Sequence, residues 1–109
     1  LKRILFVCSR NQLRSPTAEQ VFADWLGIEV ASAGTDRDAN VPLTSQLVGW
    51  AELIFVMEQV HRDKLRQRFR AQLSKQRVVC LNIPDDYAFM QPELIALLKR
   101  KVLPHLMAR

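Results

Sequence analysis

Ile4-Leu5-Phe6-Val7-Cys8-Ser9-Arg10-Asn11-Gln12-Leu13-Arg14-Ser15-Pro16 runs a short apolar stretch into a cysteine, then five residues, an arginine and a hydroxyl. The Ile4–Val7 run is compact and β-branched enough to form a buried strand. Ser15 is a good helix N-cap, Pro16 a good first helical residue, and Glu19 an acid suited to a first turn, so a helix is expected to start there. Cys8 is thereby placed in a loop between a strand end and a helix start. Loop amides and a helix N-terminus both offer positive potential, so this loop suits an oxyanion.

Working outward, the helix is expected to run from Ser15 to about Leu26, with Ala18, Val21, Phe22 and Trp25 on one face and Gly27 as its stop. Ile28 to Ala33 reads as a second strand closed by Gly34, which makes a βαβ unit and hence a parallel sheet. The polar segment 34–42 reads as a loop, and Thr44 or Ser45 as the cap of a short helix ending near Trp50. Leu53 to Met57 is an unbroken apolar run, as a central strand covered on both faces requires. Arg77 to Leu81 is a fourth strand, followed by the polar loop 82–87. A last helix starts at Pro92-Glu93, buries Leu94, Ile95, Leu97, Leu98 and Val102, and is expected to stop at Pro104. The sum is an α/β three-layer sandwich, a four-stranded parallel sheet flanked by helices, in one domain over residues 1–109.

With 49% hydrophobic and 25% charged residues, the composition is that of a globular chain and excludes a disordered one. No apolar run approaches the roughly 20 residues of a membrane helix, and the first apolar segment is too short for a signal peptide. Two cysteines fit a reducing compartment better than a disulfide framework, so a cytoplasmic location is expected. The net charge of +5 favours anionic partners. Much of it lies between His61 and Arg77, where seven Lys/Arg face the single acid Asp63 and Leu65, Phe69 and Leu73 recur every four residues. That segment reads as a basic helix with one apolar stripe, either a solvated surface or a docking face for a phosphorylated or acidic partner. No aromatic-rich basic strand accompanies it, which disfavours nucleic acid.

The residues also indicate chemistry. A cysteine attacks as the thiolate, a form that helix N-terminal amides and a nearby cation stabilise. Arg14 offers a planar fork for two phosphate oxygens, and Ser15 is placed to donate to the sulfur. Ser9, Arg10, Asn11, Gln12 and Leu13 supply the intervening loop. Displacing an alkoxide from phosphorus needs a proton donor. His61 opens a charged helix and His105 follows Pro104, so neither is favoured; Asp85-Asp86 in the loop after strand four is the better source, although Pro84-Asp85-Asp86 also reads as a plain turn. Cys80, inside an apolar strand, reads as core packing.

Together, Ile4 to Glu19 resembles the signature of the low-molecular-weight protein tyrosine phosphatases in compact bacterial-type form: an apolar strand, Cys-x5-Arg-Ser/Thr, Pro and an Ala-Glu helix. Ser32-Ala33-Gly34-Thr35 resembles the family's second-strand ending, Leu53 to Glu58 its third strand, and Asp85-Asp86-Tyr87 falls where the family has Asp-Pro-Tyr. The resemblance implies the phosphotyrosine protein phosphatase I-like fold. It also implies Cys8 as nucleophile forming a cysteinyl-phosphate, Arg14 and the loop amides as transition-state stabilisers, Asn11 as a holder of loop shape, Asp85 as general acid and then base, and Tyr87 on the pocket wall. No metal or cofactor is implied. The chain differs from the family at Arg10 (usually Gly), Leu13 (often Cys) and Asp86 (usually Pro), and its 35–52 segment is shorter. Two other readings compete: a non-catalytic phosphate-binding module with a basic docking helix, and an arsenate reductase on the same fold, which would need further cysteines where only Cys80 is present.

Overall fold

The computed structural model of the chain describes residues 2–107. Four parallel strands, β1 (Lys2–Cys8), β2 (Ile28–Gly34), β3 (Leu53–Val56) and β4 (Arg77–Cys80), form one sheet in the order β2-β1-β3-β4. Helices α1 (Arg14–Phe22) and α4 (Pro92–Met107) cover one face; α2 (Ser45–Trp50) and α3 (Gln59–Phe69) cover the other. This is the three-layer α/β arrangement expected from the alternation of elements.

Side-chain alternation along β1 divides the core. Ile4, Phe6 and Cys8 point to the α1–α4 side, where they join Ala18, Phe22, Phe55, Leu94 and Leu98. Leu5 and Val7 point to the α2–α3 side with Val48, Ile54, Val56 and Leu65. Phe6 stacks between Phe22 and Phe55, with ring centroids 5.8 Å and 5.4 Å away. The same period of two delivers Cys8, the last residue of β1, to the face from which α1 departs.

Several local expectations are corrected. Helix α1 begins at Arg14, not at Ser15-Pro16, and its cap Leu13 makes no side-chain cap bond; the Leu13 carbonyl instead receives the Thr17 amide and hydroxyl. The helix ends at Phe22, and Trp25, more than a third exposed, packs on Phe22 from outside the helix. The basic segment is not one helix: α3 stops at Phe69 and a 3₁₀ turn, Arg70–Gln72, follows. Cys80 is half-buried rather than core, because β4 is an edge strand. Pro104 lies within α4, which continues to Met107. A proline forfeits its N–H bond to the preceding turn and crowds the carbonyl there, a local cost that Leu103 and Leu106 on either side offset by packing against the core and holding the last turn.

All strand C-termini lie at one edge of the sheet. The chain leaves β1 for β2 on one side and later returns to β3 on the other, so the edge above β1 and β3 is a topological switch point, where open α/β sheets bind ligands. Replacing Phe6, which carries both aromatic stacks, by Ala is expected to lower unfolding free energy by about 3–5 kcal/mol, read from urea midpoints.

Candidate active site

The loop after β1 is shaped through its carbonyls. The Cys8 carbonyl accepts from Thr35 N–H (2.9 Å), Ser9 from Asp36 N–H (2.9 Å), and Arg10 from Asn40 N–H (3.1 Å). The Asn11 carbonyl accepts from the Asn40 side-chain amide at 3.0 Å. In a trans peptide the next N–H points away from the carbonyl. The amides of Ser9, Arg10 and Gln12 are therefore turned away from the segment after β2, and among the described residues no protein acceptor takes them. They face a cleft of about 520 Å³ lined by Cys8, Ser9, Arg10, Gln12, Leu13, Arg14, Asp36 and Asp85. Convergent N–H groups of this kind make an anion-binding concavity.

Asn11 sits at the pivot with φ 55°, a left-handed conformation that Asn tolerates better than most residues. Its side-chain amide spends both hydrogens, on Ser15 Oγ and on Ser32 Oγ, each at 2.9 Å. Ser32 in turn donates to Glu19 at 2.5 Å, so Glu19 anchors this network rather than the helix's first turn. Because Ser15 Oγ accepts from Asn11, its own hydrogen has two acceptors in reach, the Ala33 carbonyl at 3.4 Å and Cys8 Sγ at 2.9 Å, and a thiolate draws it to the sulfur.

Arg14 is buried, yet its guanidinium reaches the cleft. Nη1 donates to Glu58 Oε2 at 2.5 Å and to the Ile83 carbonyl at 2.7 Å, while Nε lies 3.7 Å from Asp85 Oδ1. Asp85 thus stands beside Arg14 on the cleft wall, whereas Asp86 is exposed and does not line it. Asn11 and Ser15 lie buried beneath the loop, and Tyr87 packs half-buried against the α1–α4 core instead of lining the cleft. Arg10 and Lys64 approach Asp36 at 3.9 and 4.0 Å.

Two residues of this site were not singled out by sequence reasoning. Glu58, the N-cap of α3, holds Arg14. His61, disfavoured as a charged-helix residue, is fully buried: Nδ1 accepts the Glu58 N–H at 3.0 Å and Nε2 lies 2.9 Å from Ser9 Oγ. The signal available was a Glu-x-x-His spacing directly after an apolar strand, a capping-box pattern with His in place of Gln. His105 is elsewhere, edge-on to the Phe55 ring. Among the described residues no group of three His, Cys, Asp or Glu has metal-ligand geometry, and no helix is long and apolar enough to cross a membrane.

Comparison with known proteins agrees with this geometry. The family described as low molecular weight phosphotyrosine protein phosphatase matches residues 3–48, which contain the loop and the segment after β2 that shapes it. No curated protein sequence matches the chain. Among solved structures, YwlE arginine phosphatase from Geobacillus stearothermophilus superposes with a TM-score of 0.76 at 23% identity, covering 97% of this chain and 94% of that one. Vibrio vulnificus Wzb, solved with benzylphosphonate, gives 0.76 at 25% identity over 95% and 96%. The tyrosine phosphatase Wzb from Escherichia coli gives 0.77 at 21% identity over 98% and 99%. The loop motif is thus similar to that of the low molecular weight phosphatases, and the chain shares the fold of these solved structures.

Two outcomes follow from the packing around the loop. A Cβ on Gly34 would lie 2.4 Å from the Ser9 carbonyl oxygen and 2.6 Å from Ala39 Cβ. Gly34→Ala should therefore displace the loop, lowering stability by about 1–3 kcal/mol and weakening inorganic phosphate binding in calorimetry. His61 is held down to about 4 from 6.5, by burial first and the Arg14 cation next, with Lys64 adding and Glu58 and Asp36 opposing. Between these values the unfolded chain binds the proton and the fold does not, so stability should fall as pH drops from 6.5 towards 4 and then stop responding to this group. Urea midpoints across that range should show the slope, and His61→Gln should flatten it.

Proposed function

We propose that the chain is a cysteine-dependent phosphatase whose reaction passes through a cysteinyl-phosphate on Cys8. The observation that carries this reading is the 2.9 Å contact of Cys8 Sγ with Ser15 Oγ at the base of a cleft walled by loop amides, Arg14 and Asp85. In this reading the thiolate attacks phosphorus, and the bond to the leaving oxygen breaks as Asp85 delivers a proton to it. Water then attacks the phosphocysteine with Asp85 accepting its proton, and the sulfur leaves as a thiolate steadied by the Ser15 hydroxyl. The loop amides of Ser9, Arg10 and Gln12 and the guanidinium of Arg14 stabilise the equatorial oxygens in both steps. Asp85 rather than Asp86 is the acid, since only Asp85 lines the cleft.

Phosphotyrosine is the substrate this reading favours, with the exposed Leu13 at the mouth as an apolar contact for a ring. Two carboxylates, Asp36 and Asp85, also line the cleft. They suit a cationic leaving group, so phosphoarginine is the second reading, the activity named for one of the structural relatives. The basic segment 61–77 adjoins the cleft through the Lys64–Asp36 contact and offers a docking face for an acidic partner.

The competing enzyme reading is weakened by geometry. Cys8 points to the α1–α4 face and Cys80 packs towards the α2–α3 face. Two strand spacings separate β1 from β4, roughly 10 Å between backbones, beyond the reach of a disulfide. An arsenate-reductase relay between them would require the sheet to rearrange.

Aryl phosphate hydrolysis tests the proposal. Cys8→Ser should reduce kcat by at least about 10³-fold while still binding inorganic phosphate. Asp85→Ala should lose most activity on poor leaving groups, and Asp86→Ala little. An inactive wild type that binds phosphate would make the protein a binding module instead. Comparing phosphotyrosyl and phosphoarginyl peptides then separates the two substrate readings.

A further inference from the structure

We propose that His61 is a positioning residue of the anion cleft, directing the Ser9 hydroxyl hydrogen onto the bound phosphoryl group. The inference rests on the phosphatase reading only in naming the anion. Nδ1 of His61 receives a backbone N–H from Glu58 at 3.0 Å, and an N–H can only be received by a lone pair. The hydrogen of the neutral ring therefore resides on Nε2, which points at Ser9 Oγ from 2.9 Å. The ring is fully buried and fixed in this orientation. A hydroxyl has a single hydrogen, so with one lone pair of Ser9 Oγ occupied by Nε2–H, its own O–H is free to be a donor. Ser9 follows the nucleophile directly and lines the cleft, so that donor joins the loop amides around the anion.

The surroundings keep the ring in the form this requires. Burial disfavours the imidazolium, and of the charged groups facing it, Arg14 from α1 and Lys64 from α3 oppose protonation while Glu58 and Asp36 favour it. A protonated Nδ1 would direct an N–H at the Glu58 N–H and undo the first turn of α3, the turn that also presents Glu58 to Arg14. One helical turn thus supports the loop at both ends, through Ser9 after the nucleophile and through Arg14 at its close.

The test is a mutant cycle read in two ways, inorganic phosphate binding by calorimetry and aryl phosphate kinetics at neutral pH. Ser9→Ala and His61→Ala should each weaken phosphate binding about tenfold, the scale of one hydrogen bond to a charged group. The Ser9→Ala/His61→Ala double variant should be no worse than either single one. His61→Gln, whose amide N–H reaches towards the Nε2 position, should recover most of the loss. Full phosphate affinity in Ser9→Ala, or independent effects that multiply in the double variant, would overturn the proposal. If His61→Ala does not fold, Ser9→Ala with His61→Gln and their combination decide it. A wild type that hydrolyses nothing would count against the phosphatase reading, and the phosphate-binding cycle would still decide the role of His61.

Discussion

The anion cradle exists because four successive carbonyls of the loop, Cys8 to Asn11, are claimed from one side. Thr35, Asp36 and Asn40, in the segment that follows β2, donate to the carbonyls of Cys8, Ser9, Arg10 and Asn11. These bonds turn the amides of Ser9, Arg10 and Gln12 the other way, so the backbone itself supplies positive potential beside the Arg14 guanidinium. The close approach needs Gly34, where a Cβ would collide with the Ser9 carbonyl. It also needs the parallel pairing of β1 with β2 to run in register to Cys8 opposite Gly34, so that the two loops leave the sheet together. A one-residue slip would turn Cys8 to the other face and leave these donors unmatched.

The second constraint is the buried charge of Arg14. A guanidinium removed from water is tolerable only with acceptors around it. Glu58 and the Ile83 carbonyl satisfy Nη1, and both come from chain segments that leave the C-terminal ends of β3 and β4. The arginine therefore ties the loop after β1 to the edge of the sheet beyond β3, and brings its Nε beside Asp85. Together with the His61–Ser9 contact, that tie holds the loop from the β3 side as the segment after β2 holds it from the other.

What the sequence revealed is what local periodicity and short motifs encode. The apolar runs at Ile4–Val7 and Leu53–Met57, the βαβ spacing and the Cys8-to-Ser15 loop were legible because each is a property of neighbouring residues. The expected cap at Ser15 failed for a tertiary reason: Ser15 Oγ is engaged by Asn11 and Cys8, and the helix starts one residue earlier. Pro104 was misread because a local helix-breaking rule was outweighed by the packing of Leu103 and Leu106. Cys80 was misread because an apolar strand sequence does not say whether the strand is central or at an edge.

The parts of the site hidden from the sequence are those that act across long separations. Asn40 reaches Asn11 from the segment after β2, while Glu58 reaches Arg14 and His61 reaches Ser9 from the first turn of α3. In the chain, His61 lies among lysines and arginines and looks like one more polar residue of an exposed helix. Its burial follows from its position at the third residue of α3, where the N-cap interaction with Glu58 draws the ring back over the strand end and onto the loop. The same capping geometry that starts the helix therefore fixes which ring nitrogen faces the cleft, so a secondary-structure signal and a functional one are carried by the same side chain.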